Sequence, residues 1–218
     1  MMQGVTTFSP VRDKHGRRLL IFQIGKMDIK LIKDIGLDIF YKMSCLFYDW
    51  LTLDENVQAN GVVFIADYTG MTLQTFNLIA DRSRQHDFMS YFQHALPVRT
   101  KSMNAYNEPA FFDVVYAFFS PFLSKKLKER FHIRGRSLVK IYEEVGYEGL
   151  PEEYLPDDYE GPKAGTMKQM QDEMRRQVAT PEFRRYVREL SSGKYGVDKN
   201  RIPAKSEAEG SYRKLNVD

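Results

Sequence analysis

The chain has 218 residues, of which 43% are hydrophobic and 28% charged, and its formal net charge is +3. This composition is ordinary for a globular protein with one sizeable core. The small net charge does not indicate a broad basic surface, so we expect no nucleic-acid partner. Cys45 is the only cysteine, which excludes a disulfide framework and a cysteine-based zinc site within the chain. The N-terminus lacks the apolar stretch of a signal peptide and no apolar run approaches membrane-spanning length, so we expect a cytoplasmic protein.

The first half of the chain is predicted to alternate between strands and helices. Residues 18–24 form a short apolar run of strand length, and Asp28 can cap a helix that runs to about Asp54. Residues 61–67 are apolar and β-branched, which is typical of a central parallel strand covered on both faces. A second helix is predicted over residues 72–94.

The second half continues this alternation. Residues 97–103 alternate in polarity and predict a third strand, after which Asn107 is placed to cap a helix. A Ser-Pro step ends that helix, and the pattern then predicts a short helix over residues 122–130, a short strand over 131–133 and a helix over 137–145. This order of elements predicts an α/β fold with a largely parallel sheet and right-handed crossovers.

Composition divides the chain into three parts. Residues 1–165 are predicted to form the main domain, which ends in a loop rich in Gly, Pro and Tyr that packs on it. Residues 166–190 predict a polar, amphipathic helix on or beside that domain. Residues 191–218 predict an extended tail.

The common motifs of catalysis are missing from this sequence. It contains no G-x-S-x-G elbow, no P-loop and no H-E-x-x-H. The four histidines stand in different predicted elements without the spacing of metal ligands, and no serine has an adjacent general base that we can identify. We therefore expect no catalytic residue, no metal and no cofactor.

Four basic residues form two pairs that could share a face. Arg99 and Lys101 lie two positions apart on a predicted strand, so their side chains should point to the same side. Lys126 and Arg130 lie four positions apart on a predicted helix and should also share a face. Two interpretations stay open, a solvated polar face with partners such as Glu129 or a local anion-binding site.

The segment between these pairs, residues 110–123, is almost entirely apolar. A helix that is apolar all round must be buried or meet lipid. It is therefore either an ordinary core helix or a lid whose inner face lines a lipid cavity and whose outer face touches a membrane. Its apolar stripe at helical spacing consists of Phe111, Val114, Val115, Phe118 and Phe119, and Phe112 and Tyr116 lie elsewhere on its circumference.

A set of motifs over residues 13–165 resembles the CRAL-TRIO lipid-binding domain, in the insect-type branch related to α-tocopherol transfer protein. They are D-K-H-G-R at 13–17, G-K-M-D at 25–28, N-G-V-V-F-I-A-D-Y-T-G-M at 60–71, L-P-V-R-T-K at 96–101, L-P-E-E-Y at 150–154 and D-Y-E-G at 158–161. The most specific is N-E-P-A-F-F followed by P-F-L-S-K-K-L-K-E-R-F-H, within residues 107–132. The ending at residues 210–218 is similar to the tail of insect members of that branch.

The resemblance implies a non-enzymatic function. It implies a parallel sheet that floors an apolar lipid pocket, closed by a mobile gate helix at about residues 107–122. The protein would bind one hydrophobic ligand (tocopherol, retinoid, carotenoid, sterol or phospholipid) and transfer it to phosphoinositide-containing membranes as a peripheral, transiently bound monomer. The alternative is an adaptor that senses phosphoinositides without transferring cargo.

The resemblance also implies two sets of site residues. Phosphoinositide headgroups would bind Arg99, Lys101, Lys126 and Arg130, which match the basic cleft of the branch without gaps. The lipid pocket would be lined by Tyr41, Ser44, Tyr48, Val62, Phe64, Phe88, Phe92, Leu96, Met103, Phe111, Phe112, Val115, Phe119 and Phe122.

Two departures from the family pattern bear on these expectations. The helical N-terminal domain that usually precedes the lipid-binding domain is absent from this sequence. Tyr41 and Tyr48 replace smaller or non-hydroxyl residues of the tocopherol binder, which argues against tocopherol itself as the cargo.

Overall fold

The structure is a computed structural model that describes residues 5–194 and Gly196. The first four residues and almost all of the predicted tail therefore lie outside the described residues. Within the described part the strands are β1 (Thr6–Phe8), β2 (Arg18–Gln23), β3 (Val62–Asp67), β4 (Thr100–Tyr106) and β5 (Phe131–Ile133). The helices are α1 (Ile29–Ile35), α2 (Leu37–Thr52), α3 (Glu55–Asn60), α4 (Leu73–Ile79), α5 (Arg82–Ser90), α6 (Phe112–Phe119), α7 (Lys125–Glu129), α8 (Val139–Val145), α9 (Met167–Val178) and α10 (Pro181–Ser191).

The strands form one sheet in the order β1-β2-β3-β4-β5 within the described residues. β1 pairs antiparallel with β2, and each of the other neighbours pairs in parallel. Parallel neighbours cannot be joined by a tight turn, so helices connect them across the faces of the sheet. The predicted α/β class with a largely parallel sheet is confirmed.

The central strand β3 divides the core into two layers. Val62 and Phe64 belong to a cluster with Leu51 on one face, whereas Val63 and Ile65 pack on the opposite face with residues of α8. All four strand residues are almost completely buried. A strand covered on both faces has no solvent side, which explains why its sequence is apolar throughout.

Three helices that the sequence predicts as continuous are each divided in two. Gly36, with φ +82°, ends α1 and precedes α2. Asp81 accepts a hydrogen bond from the Arg84 N–H at 2.9 Å and starts α5 as its N-cap. Between α9 and α10, Thr180 acts as the N-cap of a helix whose first residue is Pro181. The predictions of single helices over residues 28–54, 72–94 and 166–190 were wrong because local capping stops each one.

The predicted cap at Asn107 was also wrong. Asn107 has φ +52°, its N–H donates to the Gly135 carbonyl at 2.7 Å, and its Nδ2 donates to Thr69 Oγ1 at 2.6 Å. The helix α6 begins only at Phe112. Asn107 therefore anchors the turn that leads from β4 to α6 instead of capping the helix.

The chain separates into two compact units with the division between Gln177 and Val178. The sheet and both core layers belong to the first unit. The second unit contains α10, where the Phe183 N–H donates to Thr180 Oγ1 at 3.3 Å. The predicted boundaries at residues 165 and 190 stay predictions.

Candidate functional site

A cavity of about 260 Å³ lies between one face of the sheet and the helices α2, α5 and α6. Phe64 and Ala66 of β3 border it from the sheet, and Phe112 and Val115 of α6 border it from the helix side. Ten of the predicted pocket residues line it: Tyr41, Ser44, Tyr48, Phe64, Phe88, Phe92, Met103, Phe112, Val115 and Phe119. Their role as ligand contacts stays a prediction.

Four predicted pocket residues do not line this cavity. Val62 lies on the cavity face of β3 but at its beginning, in the cluster of Leu51 and Val57. Leu96 packs against the same cluster, and Phe111 packs against a different hydrophobic cluster, which contains Phe112. The Phe122 ring lies 5.9 Å from the Phe118 ring, on the turn after α6. These side chains contribute to the packing around the cavity without bordering it.

Sequence reasoning missed several lining residues near the ends of the strands. Phe22 of β2 lines the cavity, and its ring stacks on Phe64 at 5.8 Å. Tyr68 follows β3 and lines it too, as does Phe131 of β5. Alternation could have found Tyr68, because it continues the side of the strand that carries Phe64 and Ala66.

Two polar side chains that line the cavity are satisfied by the protein. The Tyr41 hydroxyl donates to the Ile79 carbonyl at 3.1 Å and accepts from Gln85 Nε2. Ser44 Oγ donates to the Phe40 carbonyl at 3.1 Å, one helical turn earlier. Burial raises the pKa of Tyr41 well above its ordinary value, and the charge of Asp81 adds to this shift.

Four other hydroxyls that line the cavity have no hydrogen-bond partner among the described residues: those of Thr6, Tyr48, Tyr68 and Tyr116. Thr6 is completely buried and Tyr48 is 7% exposed. The Tyr48 ring lies 5.4 Å from the Phe92 ring and 6.0 Å from the Phe88 ring. Tyr68 meets Phe112 of α6 edge to face at 5.0 Å.

Outside the cavity, three of the four predicted basic residues meet near the beginning of β4. The Arg130 guanidinium donates to the Thr100 carbonyl, the residue between Arg99 and Lys101. A Cβ atom placed on Gly61 would lie 3.1 Å from both Arg99 Cβ and Lys101 Cε. These contacts bring Arg99, Lys101 and Arg130 to one region of the first unit.

The pairing of β4 is irregular where Arg99 and Lys101 lie. Arg99 precedes β4, and the pairing of β3 with β4 shifts so that Val62 faces Thr100 while Val63 faces Ser102. Lys101 is therefore the extra residue of a β-bulge.

No carboxylate among the described residues neutralises the four predicted basic residues. Among the residues that the structure describes, neither Arg99, Lys101, Lys126 nor Arg130 forms an ion pair, and Glu129 pairs with none of them. Arg99, Lys101 and Lys126 are exposed, and Arg130 is half-buried. Unpaired cations that lie close together, as Arg99, Lys101 and Arg130 do, are able to hold an anion by charge-assisted hydrogen bonds.

By contrast, the nearby Arg134 is fully engaged on the other face of the sheet. Its Nη2 donates to Glu144 at 3.0 Å, and its Nε donates to Asn104 Oδ1 at 2.6 Å. Ser102 also donates to Glu144. This network fixes β4 against α8 and leaves Arg134 unsuited to binding an external anion.

The chain is similar in sequence to proteins of one known family. A family model described as CRAL/TRIO domain matches residues 2–161. The human protein named alpha-tocopherol transfer protein-like is 31% identical over 117 residues, which are 51% of this chain and 32% of that protein. Clavesin-1 of Xenopus laevis is 23% identical over 154 residues, 71% of this chain and 45% of that protein.

A solved structure supports the fold. The crystal structure of Sfh5 superimposes with a TM-score of 0.50 at 14% identity, covering 88% of this chain and 65% of that one. The matches to the two relatives span less than half of those proteins' own lengths. No helix in the described part of the chain has the length and apolar character to span a bilayer.

Proposed function

The chain belongs to the CRAL/TRIO domain family, and on that premise we propose that it binds one hydrophobic, lipid-like molecule and delivers it to membranes. The observation that carries this proposal is the cavity of about 260 Å³ between the sheet and α6, lined largely by aromatic and aliphatic side chains. Burying about 300 Å² of apolar ligand surface there would stabilise the complex by roughly 7 kcal/mol, before the cost of association.

The position of α6 supports its role as the gate. Val115 on its inner side is 1% exposed and lines the cavity, whereas its neighbour Val114 is 56% exposed. The helix thus presents apolar side chains both to the ligand space and to the outside. If the outer side enters a membrane interface, the open state of the cavity gains population.

The basic residues Arg99, Lys101 and Arg130, together with Lys126 of α7, would direct this opening to membranes that carry phosphoinositides. The support for this role is the absence, within the described residues, of any carboxylate partner for these four side chains. Each cation close to an anionic membrane surface contributes about 1 kcal/mol. Four such contributions are enough to bias the gate toward its open state.

The test separates cargo binding from delivery. Native mass spectrometry with lipid extraction should find one bound lipid per chain in the purified protein. The double variant Arg99→Ala with Lys126→Ala should transfer lipid more slowly to phosphoinositide vesicles while keeping its affinity for cargo. Lys128→Ala, on the other side of α7, is the control and should transfer at the parental rate.

Two results would contradict the proposal. Equal loss of cargo affinity and transfer in the double variant would argue against a separate headgroup site. A protein purified without any lipid, which also binds none when it is offered, would favour the phosphoinositide-sensing adaptor.

A further inference from the structure

Hydrogen bonds fix the chain on both sides of the gate helix α6. Before the helix, the Asn107 N–H donates to the Gly135 carbonyl at 2.7 Å. After it, Gln93 Nε2 donates to the Phe122 carbonyl at 2.8 Å, and Gln93 Oε1 accepts from the Ser124 N–H at 2.8 Å. The two ends of the segment are thus anchored, and a movement of α6 would turn about them.

The body of α6 has no such bonds. Among the described residues, no side-chain hydrogen bond or ion pair joins Phe112–Phe119 to another element. A charged side chain nevertheless contacts the helix at the Phe118 ring. The Arg82 guanidinium, at the start of α5, lies over that ring at 5.6 Å from its centroid. The ring also meets Phe76 of α4 edge to face at 5.7 Å.

The position of Arg82 is not explained by the helix that carries it. Its side chain is exposed and forms no ion pair or hydrogen bond in the described part of the chain. Arg82 is the first residue of α5, where the partial positive charge of a helix N-terminus disfavours a cation. By contrast, Arg84 is paired with Asp38 at 2.8 Å and with Asp81 at 2.6 Å. The contact of Arg82 with the gate is therefore the one that its position serves.

We propose that Arg82 is a clamp on the gate. Its cation–π contact with Phe118 favours the closed position of α6, and an anionic membrane headgroup releases the clamp by binding the guanidinium in place of the ring. Charge-assisted hydrogen bonds to a phosphate or carboxylate are stronger than the attraction of an exposed guanidinium to a ring. This inference rests on the proposed function, because it names a residue that controls the opening of the same cavity.

The clamp predicts an effect opposite in sign to that of the other basic residues. Arg99, Lys101, Lys126 and Arg130 would attract the membrane, so their loss slows transfer. Arg82 holds the gate closed while no anionic surface is present, so its loss should speed transfer to a surface without net charge. The sign of the change therefore separates the two roles.

The first test measures the opening of α6 without any ligand. A helix of eight residues is unstable on its own, so its amides exchange with solvent when it leaves the sheet. Arg82→Gln should raise the hydrogen exchange of Phe112–Phe119 about two- to fivefold, which corresponds to the loss of one exposed cation–π contact. Arg82→Lys keeps a cation and should lie between Arg82→Gln and the parent. Parental exchange in Arg82→Gln would overturn the clamp.

The second test measures transfer of the apolar fluorophore diphenylhexatriene from loaded protein to vesicles. Arg82→Gln should transfer it about two- to fivefold faster than the parent to phosphatidylcholine vesicles, which have no net charge. With vesicles that contain phosphatidylserine the rate should stay parental, because the clamp is already released there. Slower transfer to both kinds of vesicle would assign Arg82 to membrane attraction and overturn the clamp.

Arg185→Gln is the matched control for both tests. Arg185 of α10 is also exposed and has no ion pair within the described residues. The variant therefore makes the same change in net charge and should follow the parent. If Arg185→Gln speeds exchange and transfer as much as Arg82→Gln does, the effect comes from net charge and the clamp is overturned.

A variant of the ring shows whether Arg82 acts through Phe118. Leucine keeps an apolar side chain but removes the aromatic face, so Phe118→Leu abolishes the cation–π contact by itself. Adding Arg82→Gln to Phe118→Leu should then cause no further increase in the exchange of α6. A further increase as large as that of Arg82→Gln alone would overturn the assignment to this ring.

The two tests separate the clamp from the function beneath it. Failure of the parent to take up diphenylhexatriene would contradict the proposed function, while hydrogen exchange, which needs no ligand, would still decide whether Arg82 holds α6. Normal uptake and transfer by the parent, together with parental exchange in Arg82→Gln, would overturn the clamp alone.

Discussion

Gly61 lies directly against the backbone carbonyl of Arg99. A Cβ atom built on Gly61 would stand 2.2 Å from the Arg99 oxygen, far inside any real contact. The same carbonyl accepts a hydrogen bond from the Val62 N–H at 2.9 Å, so it cannot move away freely. This close approach sets the start of the β3–β4 pairing, next to the bulge that presents Lys101.

We expect Gly61→Ala to destabilise the protein strongly. Gly61 has φ +84°, which costs a residue with a side chain about 1–3 kcal/mol, and the clash with Arg99 adds to this cost. Chemical denaturation should report a loss of at least about 3 kcal/mol in the free energy of unfolding.

Gly36→Ala is the matched control for this prediction. Gly36 has φ +82°, nearly the same backbone conformation, but a Cβ atom there would meet nothing within 4 Å. Only the backbone strain should remain, at about 1–3 kcal/mol. Equal losses in the two variants would contradict the role given to the Arg99 contact.

The outer side of α6 should matter for transfer and not for stability. Val114 is 56% exposed, so Val114→Ser removes apolar surface from the gate without opening the core. We expect transfer to vesicles to slow several-fold, and the free energy of unfolding to stay within about 0.5 kcal/mol.

An equally exposed valine on another helix provides the comparison. Val139 of α8 is 55% exposed and lies away from the gate in the chain. Val139→Ser should transfer lipid at the parental rate. If Val139→Ser slows transfer as much as Val114→Ser does, the loss of any exposed apolar side chain has this effect, and the result would contradict a special role of α6 in transfer.

Asp54 should make the stability of the protein sensitive to acid. It accepts hydrogen bonds from Arg18 Nη2 at 2.6 Å and Arg12 Nη2 at 2.7 Å. Burial raises the pKa of Asp54, but the hydrogen bonds and charges of Arg18 and Arg12 outweigh it and hold that pKa below its ordinary value. The stabilisation is therefore present above the pKa of the unfolded chain and is lost as the pH falls through the folded one.

The measurement is the free energy of unfolding between about pH 6 and pH 3. Asp54→Asn should be less stable than the parent at pH 6 and should lose less stability on acidification. Asp34→Asn, at an exposed carboxylate without an ion pair in the described chain, should follow the parental curve. If the free energy of unfolding of Asp54→Asn falls with decreasing pH as steeply as that of the parent, the prediction is contradicted.

Local sequence patterns predicted most of the elements but not where they stop. The strands at residues 18–23, 62–67 and 131–133 follow from short apolar runs, because side-chain periodicity is a property of neighbours in the chain. The residues at the helix breaks, Gly36, Asp81 and Pro181, are of types that favour turns or helix caps. The apolar spacing on either side of each one nevertheless predicted a single continuous helix.

The strand β1 was missed for a different reason. Its three residues, Thr6–Phe8, are too few to show a period, and the strand exists because it pairs with β2. Edge pairing is a long-range property that a window of sequence does not contain. The same holds for the left-handed conformation of Asn107, which depends on Gly135 and Thr69.

By itself, the sequence determined that the chain folds as an α/β layer with an apolar segment between basic residues, because composition and side-chain periodicity are enough to identify these features. Only the tertiary structure decided that Tyr68 and Phe22 border the cavity while Val62 does not, and that Lys101 is the extra residue of a bulge. The physical reason is that a cavity and a charge cluster are made where separate elements cross. Their positions depend on sheet register and helix packing, which bring together residues that are distant in the chain.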